Sequence, residues 1–155
     1  SPALRLGYLI VPDALVDVFR VARAVSGGHS PTVDQSVLAD FMGEGHYVRH
    51  VRRVRALCAE RQHALLECAA RELDGVLELA PDAAGLHVVG WLPPRTSDAD
   101  ATAAAAREGV DVTPLSRYSA VRPKRGALLL GYAAFDERAI RSGVRRLARA
   151  LGASA

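Results

Sequence analysis

Half of this 155-residue chain is apolar, enough to build a hydrophobic core, and disorder is not indicated. The length suits one domain, or one domain with an appended arm. No apolar run approaches the roughly 20 residues of a membrane-spanning helix, so the expectation is a soluble chain. The formal charge of +3 comes almost wholly from arginine, since Lys124 is the one lysine among 20 basic residues. So small an excess argues against nucleic acid as a partner of this stretch itself.

Leu4 to Val11 is a nearly continuous apolar run ended by Pro12, which suits a strand buried on both faces. Leu15, Val18, Phe19, Ala22 and Val25 then recur at helical spacing until Gly27-Gly28. A Ser30-Pro31 turn leads to Thr32-Val33-Asp34-Gln35, which has the spacing of a capping box. Val37, Leu38, Phe41 and Met42 line one face of that helix, and Gly43 and Gly45 interrupt it. From His46 to about Leu73 one long helix is predicted, closed by Gly75. Tyr47, Val51, Val54, Cys58, Leu65 and Cys68 form its apolar stripe. Cys58 and Cys68 lie about 15 Å apart on such a helix, too far for a disulfide. They are expected as small buried hydrophobes in a reduced, cytoplasmic compartment.

The period then changes. Val76–Leu79 and Leu86–Leu92 are predicted strands joined by a Pro81-Asp82 turn. Ser97 is expected to cap an alanine-rich helix ending at Gly109. Val110–Thr113 is a short predicted strand, Pro114–Arg125 an irregular loop, and Ala127–Ala134 another strand. Asp136 caps a last amphipathic helix with Ile140, Val144, Leu147 and Leu151 on one face. The fold class is α+β: residues 46–155 form a domain with a three- to four-stranded, mostly antiparallel sheet and helices on one face. Residues 1–45 are an arm of strand, helix and linker. A buried-type strand does not stand alone, so this arm is expected to pair with chain outside this sequence or with another molecule.

Several groups of reactive residues carry plainer readings. Lys124 is a candidate imine-forming nucleophile, but it sits between Pro123 and Arg125 in a polar loop where nothing apolar depresses its pKa. His46 and His50 share a helix face, yet no third ligand follows at a metal-site spacing. Helix-start packing is their expected role, and His87 is expected to pack in its strand. Arg49, Arg52, Arg53 and Arg55 lack interleaved aromatics, so they are expected as a solvated or domain-facing surface. Gly27-Gly28 fits no phosphate-cradling motif. No catalytic residue or metal ligand is expected in this chain.

The opening Ser1-Pro2-Ala3-Leu4-Arg5-Leu6-Gly7-Tyr8 resembles the segment that follows the cofactor-bearing lysine of fold-type I pyridoxal-phosphate (PLP) enzymes. The likeness continues through His29-Ser30-Pro31-Thr32, Gln35, Gly45-His46-Tyr47 and His50-Val51-Arg52-Arg53-Val54-Arg55. It runs on through Gly85-Leu86-His87-Val88, Pro114-Leu115-Ser116 and Leu128-Leu129-Leu130-Gly131-Tyr132-Ala133. Within the superfamily, the wording is most similar to the MocR group of GntR-type transcription regulators, in which a winged-helix arm is fused to an aminotransferase-like effector domain. The alternative is an aminotransferase of the aminoadipate/kynurenine type. A third reading is a free-standing α+β interaction module without PLP chemistry.

This resemblance implies the C-terminal small domain of the class I/II aminotransferase fold, preceded by a linker and a remnant of the large domain. It implies a C-terminal piece that begins after the Schiff-base lysine, with PLP held by the parent and not stably by this chain. Arg5 takes the place of the arginine that pairs with the PLP phosphate. His29 and Ser30 fall in the loop that reaches the partner subunit's active site in a homodimer. Leu129 stands where aminotransferases carry an arginine for the substrate carboxylate. Arg125, Arg122 or Arg117 would have to supply that charge, with Arg125 the best placed for effector binding. DNA would be contacted only through a winged-helix domain outside this sequence, and no membrane is involved.

Overall fold

A computed structural model describes residues 6–7, 9–26, 31–82, 85–121 and 123–153. The chain divides into two compact units, Ser1–Arg52 and Arg53–Ala155.

The first unit holds a 3-10 turn at Asp13–Leu15, helix α1 (Val16–Val25), helix α2 (Thr32–Gly43) and the start of helix α3 (His46–Glu72). The helical spacing of α1 is realised, but none of its residues is buried. The strand expected at Leu4–Val11 is not found among its described residues. Leu6, Gly7, Leu9, Ile10 and Val11 are irregular, and Ile10 is 91% exposed. A strand persists only where a neighbour takes up its N–H and C=O groups, and no described strand runs beside these residues. The capping box also fails. Helix α2 starts from Pro31, whose fixed φ of −54° sets the first turn, so Thr32 is already helical and its side chain caps nothing.

The second unit contains the rest of α3, strands β1 (Glu78–Leu79) and β2 (His87–Trp91), and helix α4 (Asp98–Arg107). Strands β3 (Thr113–Pro114) and β4 (Ala127–Gly131) and helix α5 (Glu137–Leu151) complete it. The sheet order is β1-β2-β4-β3, and every pair is antiparallel. Val88 lies opposite Leu130 and Gly90 opposite Leu128, which puts these four on one face. All four are buried. Leu65, Cys68 and Leu73 from α3 and its exit, Ala101 and Ala105 from α4, and Ile140, Val144 and Leu147 from α5 join the same core. The helices thus cover one face of the sheet, as the sequence periods predict.

The strands are shorter than predicted, for identifiable reasons. The N–H groups of Val76 and Leu77 both bond to the Leu73 carbonyl in the turn that ends α3, leaving β1 two residues. Val110 N–H closes onto Ala105 O at the end of α4, and Pro114 has no N–H to give, so β3 is equally short. Beyond Gly131 the chain turns, with Phe135 N–H on Tyr132 O. Tyr132 is buried; its hydroxyl donates to Gly85 O at 3.0 Å and accepts from Gln62 Nε2 at 3.2 Å, tying β4 to the hairpin and to α3. The caps are as expected: Ser97 Oγ accepts from Asp100 N–H at 3.3 Å and Asp136 Oδ1 from Ala139 N–H at 2.8 Å.

Cys68 is buried among apolar neighbours, which raises its thiol pKa and keeps it protonated and inert. Glu67 binds Arg141 at 3.0 Å and also Arg71, joining α3 to α5. The hydrogen bond from Arg141, and then the charge of Arg71, hold its carboxyl below the usual range. A depressed carboxyl stabilises the fold above the unfolded value and loses that contribution as the pH falls, here below about pH 4. Glu67→Gln is therefore expected to lower the melting temperature at pH 7, with the gap from wild type closing on acidification. A gap that stayed constant from pH 7 to pH 3 would refute this role.

Candidate functional site

The loop between β3 and β4 is fixed at both ends. At its start, the Asp98 carboxylate accepts from Ser116 N–H at 2.9 Å and from Ser116 Oγ at 3.0 Å. Asp98 is the only buried charged side chain among the described residues, and a buried carboxylate persists only when it is so satisfied. The Pro114-Leu115-Ser116 wording of the sequence thus has a structural purpose: it clasps the loop to the first turn of α4.

At the loop's other end stands Arg125. Its Nε donates to Leu92 O at 2.6 Å, its guanidinium lies 6.0 Å from the ring centre of Trp91, and its NH2 meets Glu78 Oε2 at 2.8 Å. Gly126 follows because nothing larger fits: a Cβ there would lie 2.6 Å from Thr96 O. Its carbonyl accepts from Leu92 N–H at 3.0 Å. Beside this cluster runs an open groove of about 670 Å³ between the end of α3, β1 and the Pro93-Pro94 wall. The Pro93–Thr96 turn holds Arg95 at φ 69°, a conformation ordinarily left to glycine, and leaves a second, exposed arginine next to that wall. A guanidinium fixed over an aromatic ring is a competent carboxylate receptor.

Of the four expected site residues, Arg125 is described, and Arg5, His29 and Ser30 lie outside the described residues, as does Arg122. Arg117 is exposed. Leu129 lies half-buried in β4, paired with Val89 and Thr113 on the sheet face away from the core. His46 is committed elsewhere: its Nε2 is 3.1 Å from Glu44, its Nδ1 is 2.7 Å from Arg49, and its ring stacks on Phe41. The His87 ring lies against Gly131 across the β2–β4 pair. Among the described residues no three His, Cys, Asp or Glu side chains could share a metal, and no helix is long and apolar enough to cross a membrane. Sequence reasoning missed Glu78 and Trp91. Trp91 is the chain's single tryptophan and sits just before Pro93-Pro94, a signal that was available.

The described residues do not fit PLP by themselves. The only lysine, Lys124, is exposed in the loop between β3 and β4. PLP added to this chain is expected to give no stoichiometric adduct by absorbance. An adduct mapped to Lys124 by mass spectrometry would overturn that assignment.

No protein-family model matches the chain. It is 37% identical over 148 residues to the probable rhizopine catabolism regulatory protein MocR of Rhizobium meliloti, covering 94% of this chain and 30% of that protein. It is 30% identical over 152 residues to the 2-aminoadipate transaminase of Thermus thermophilus, covering 97% of this chain and 38% of the enzyme. In fold it matches the crystal structure of LysN, the α-aminoadipate aminotransferase of Thermus thermophilus, with a TM-score of 0.81 and 28% identity. That match covers 97% of this chain and 39% of LysN. The chain spans about 30% of the length of the curated relatives it first matches. Sequence identity and fold agree: the chain fits the C-terminal part of a fold-type I aminotransferase-like domain and is most similar to that of the MocR/GntR-type regulators.

Proposed function

We propose that this chain is the small lobe of a PLP-responsive effector domain in a transcription regulator, and not part of a working transaminase. The observation that carries the reading is Leu129. At the place where the family resemblance implies a carboxylate-binding arginine, β4 presents a half-buried apolar side chain flanked by Val89 and Thr113. An amino acid's carboxylate would find no cation there, so orientation of its Cα for chemistry would be lost.

In this reading residues 1–45 belong with the PLP-binding large domain and residues 46–155 form the small domain. Arg5 contacts the cofactor phosphate, and His29 and Ser30 face the second subunit of a homodimer. Arg125 takes the effector's charged group. A winged-helix domain of the whole protein would contact DNA, in the cytoplasm. The test uses the complete protein: PLP is expected to change its affinity for its operator, while amino-group transfer from a panel of amino acids stays near background. Turnover at the rate of ordinary enzymes, about 1 s⁻¹ or faster, would overturn the reading.

The second reading, an aminotransferase fragment, is favoured by the identity to the 2-aminoadipate transaminase. It requires another cation in place of position 129.

A further inference from the structure

We infer that Glu78 is a built-in stand-in for the carboxylate of a small ligand with a compact apolar body, which docks on Arg125 with its body in the adjoining groove. This rests on the proposed role of Arg125 in effector binding and adds the ligand class and the gating residue.

Three features support it. First, Arg125 is pre-positioned by groups other than Glu78: Leu92 O fixes Nε, and Trp91 lies under the guanidinium. Its terminal nitrogens are therefore held in place at little further ordering cost. Second, Glu78 occupies one of them through a single oxygen, and among the described residues NH1 has no hydrogen-bond partner. The Glu78 side chain is 70% exposed and stands on a two-residue strand at the sheet edge. An ion pair so exposed contributes little and is readily exchanged for a carboxylate that spans both terminal nitrogens. Third, the groove beside the pair has apolar walls from Leu66, Ala69, Val76, Leu77 and Pro93. Among the described residues Arg125 is the one cation lining it, whereas Asp74 and Glu78 are its anions. An apolar body beside one guanidinium selects a monocarboxylate; a dianion would meet Asp74 and Glu78.

The site carries its own reporter, because Trp91 is the chain's only tryptophan. The 155-residue chain is titrated with 4-phenylbutyrate, and Trp91 emission is followed in wild type, Glu78→Gln and Arg125→Gln, with 4-phenylbutanol as the uncharged control. Glu78→Gln is expected to bind the acid about two- to fivefold more tightly than wild type, the equivalent of one exposed ion pair. Arg125→Gln should bind it roughly tenfold or more weakly, and the alcohol should not bind measurably. Should Arg125→Gln lose binding while Glu78→Gln gains nothing, the stand-in role falls and the Arg125 reading survives. Should Arg125→Gln bind as wild type does, or the alcohol match the acid, the Arg125 reading falls and takes this inference with it. Absence of any acid binding by wild type and Glu78→Gln likewise overturns both. Glu78 is an exposed edge residue whose replacement leaves the core intact, so the decisive comparison stands even where Arg125→Gln folds poorly.

Discussion

Leu128→Ala is expected to lower the stability of the second unit by about 3 to 4 kcal/mol and its melting temperature by more than about 10 °C. Leu128 is fully buried in β4, inside a core fed by three helices. The residue opposite it in β2 is Gly90, which has no side chain to lean into a vacated space. The room over Gly90 is already taken by Leu77, whose Cγ and Cδ2 would lie 2.8 Å from an added Cβ. A site whose neighbours are set in this way collapses poorly, so the cavity cost adds to the lost transfer energy. Urea unfolding should show a lower midpoint with an unchanged slope. Leu9→Ala, at a side chain 77% exposed, is the control and should stay within about 0.5 kcal/mol of wild type. A loss under about 1 kcal/mol at Leu128 would mean that the sheet and helices are not packed around it.

The sequence made some of this legible and hid the rest, along a clear physical line. Local signals worked: Asp136 and Ser97 do cap their helices, and Ile140, Val144 and Leu147 do face the core at helical spacing. Of the two cysteines expected to be buried, Cys68 is, while Cys58 is only partly covered. What failed was pairing. The apolar run at Leu4–Val11 has the composition of a strand, but composition does not supply a neighbour. The runs at Val76 and Val110 looked longer than β1 and β3 because their N–H groups are spent on helix exits, a matter of hydrogen-bond geometry that hydropathy does not carry. The cluster at Arg125 was hidden for the same reason. It joins residues 33 and 47 positions apart, and only the order β1-β2-β4 brings Glu78, Trp91 and Arg125 together. The charge of Arg125 was evident in the sequence; its partners were not. Leu129 is the opposite case, since its meaning comes from the family resemblance and its place on β4 adds only that the position is half-buried.

Gly126→Ala should destabilise the second unit by about 2 to 3 kcal/mol, although it adds a single methyl group. The new Cβ would sit 2.6 Å from Thr96 O, 3.1 Å from Asp98 N and 3.4 Å from Asp98 Cβ. Two of these are backbone atoms, and neither is free to move. Asp98 is clamped by both Ser116 bonds, and Gly126 is itself tied through its carbonyl to Leu92 N–H. The strain is therefore relieved only by shifting the start of β4 or the first turn of α4, and Arg125 moves with the former. Trp91 emission should change in the folded variant, and the Arg125–Leu92 bond should weaken. Gly143→Ala provides the opposite sign. Gly143 lies inside α5 with nothing within 4 Å of an added Cβ, so that substitution should stabilise by up to about 1 kcal/mol through helix propensity. If both alanines behaved alike, steric closure at Gly126 would not be what sets the start of β4, and Arg125 would be held by its bond to Leu92 O and its contacts with Trp91 and Glu78 alone.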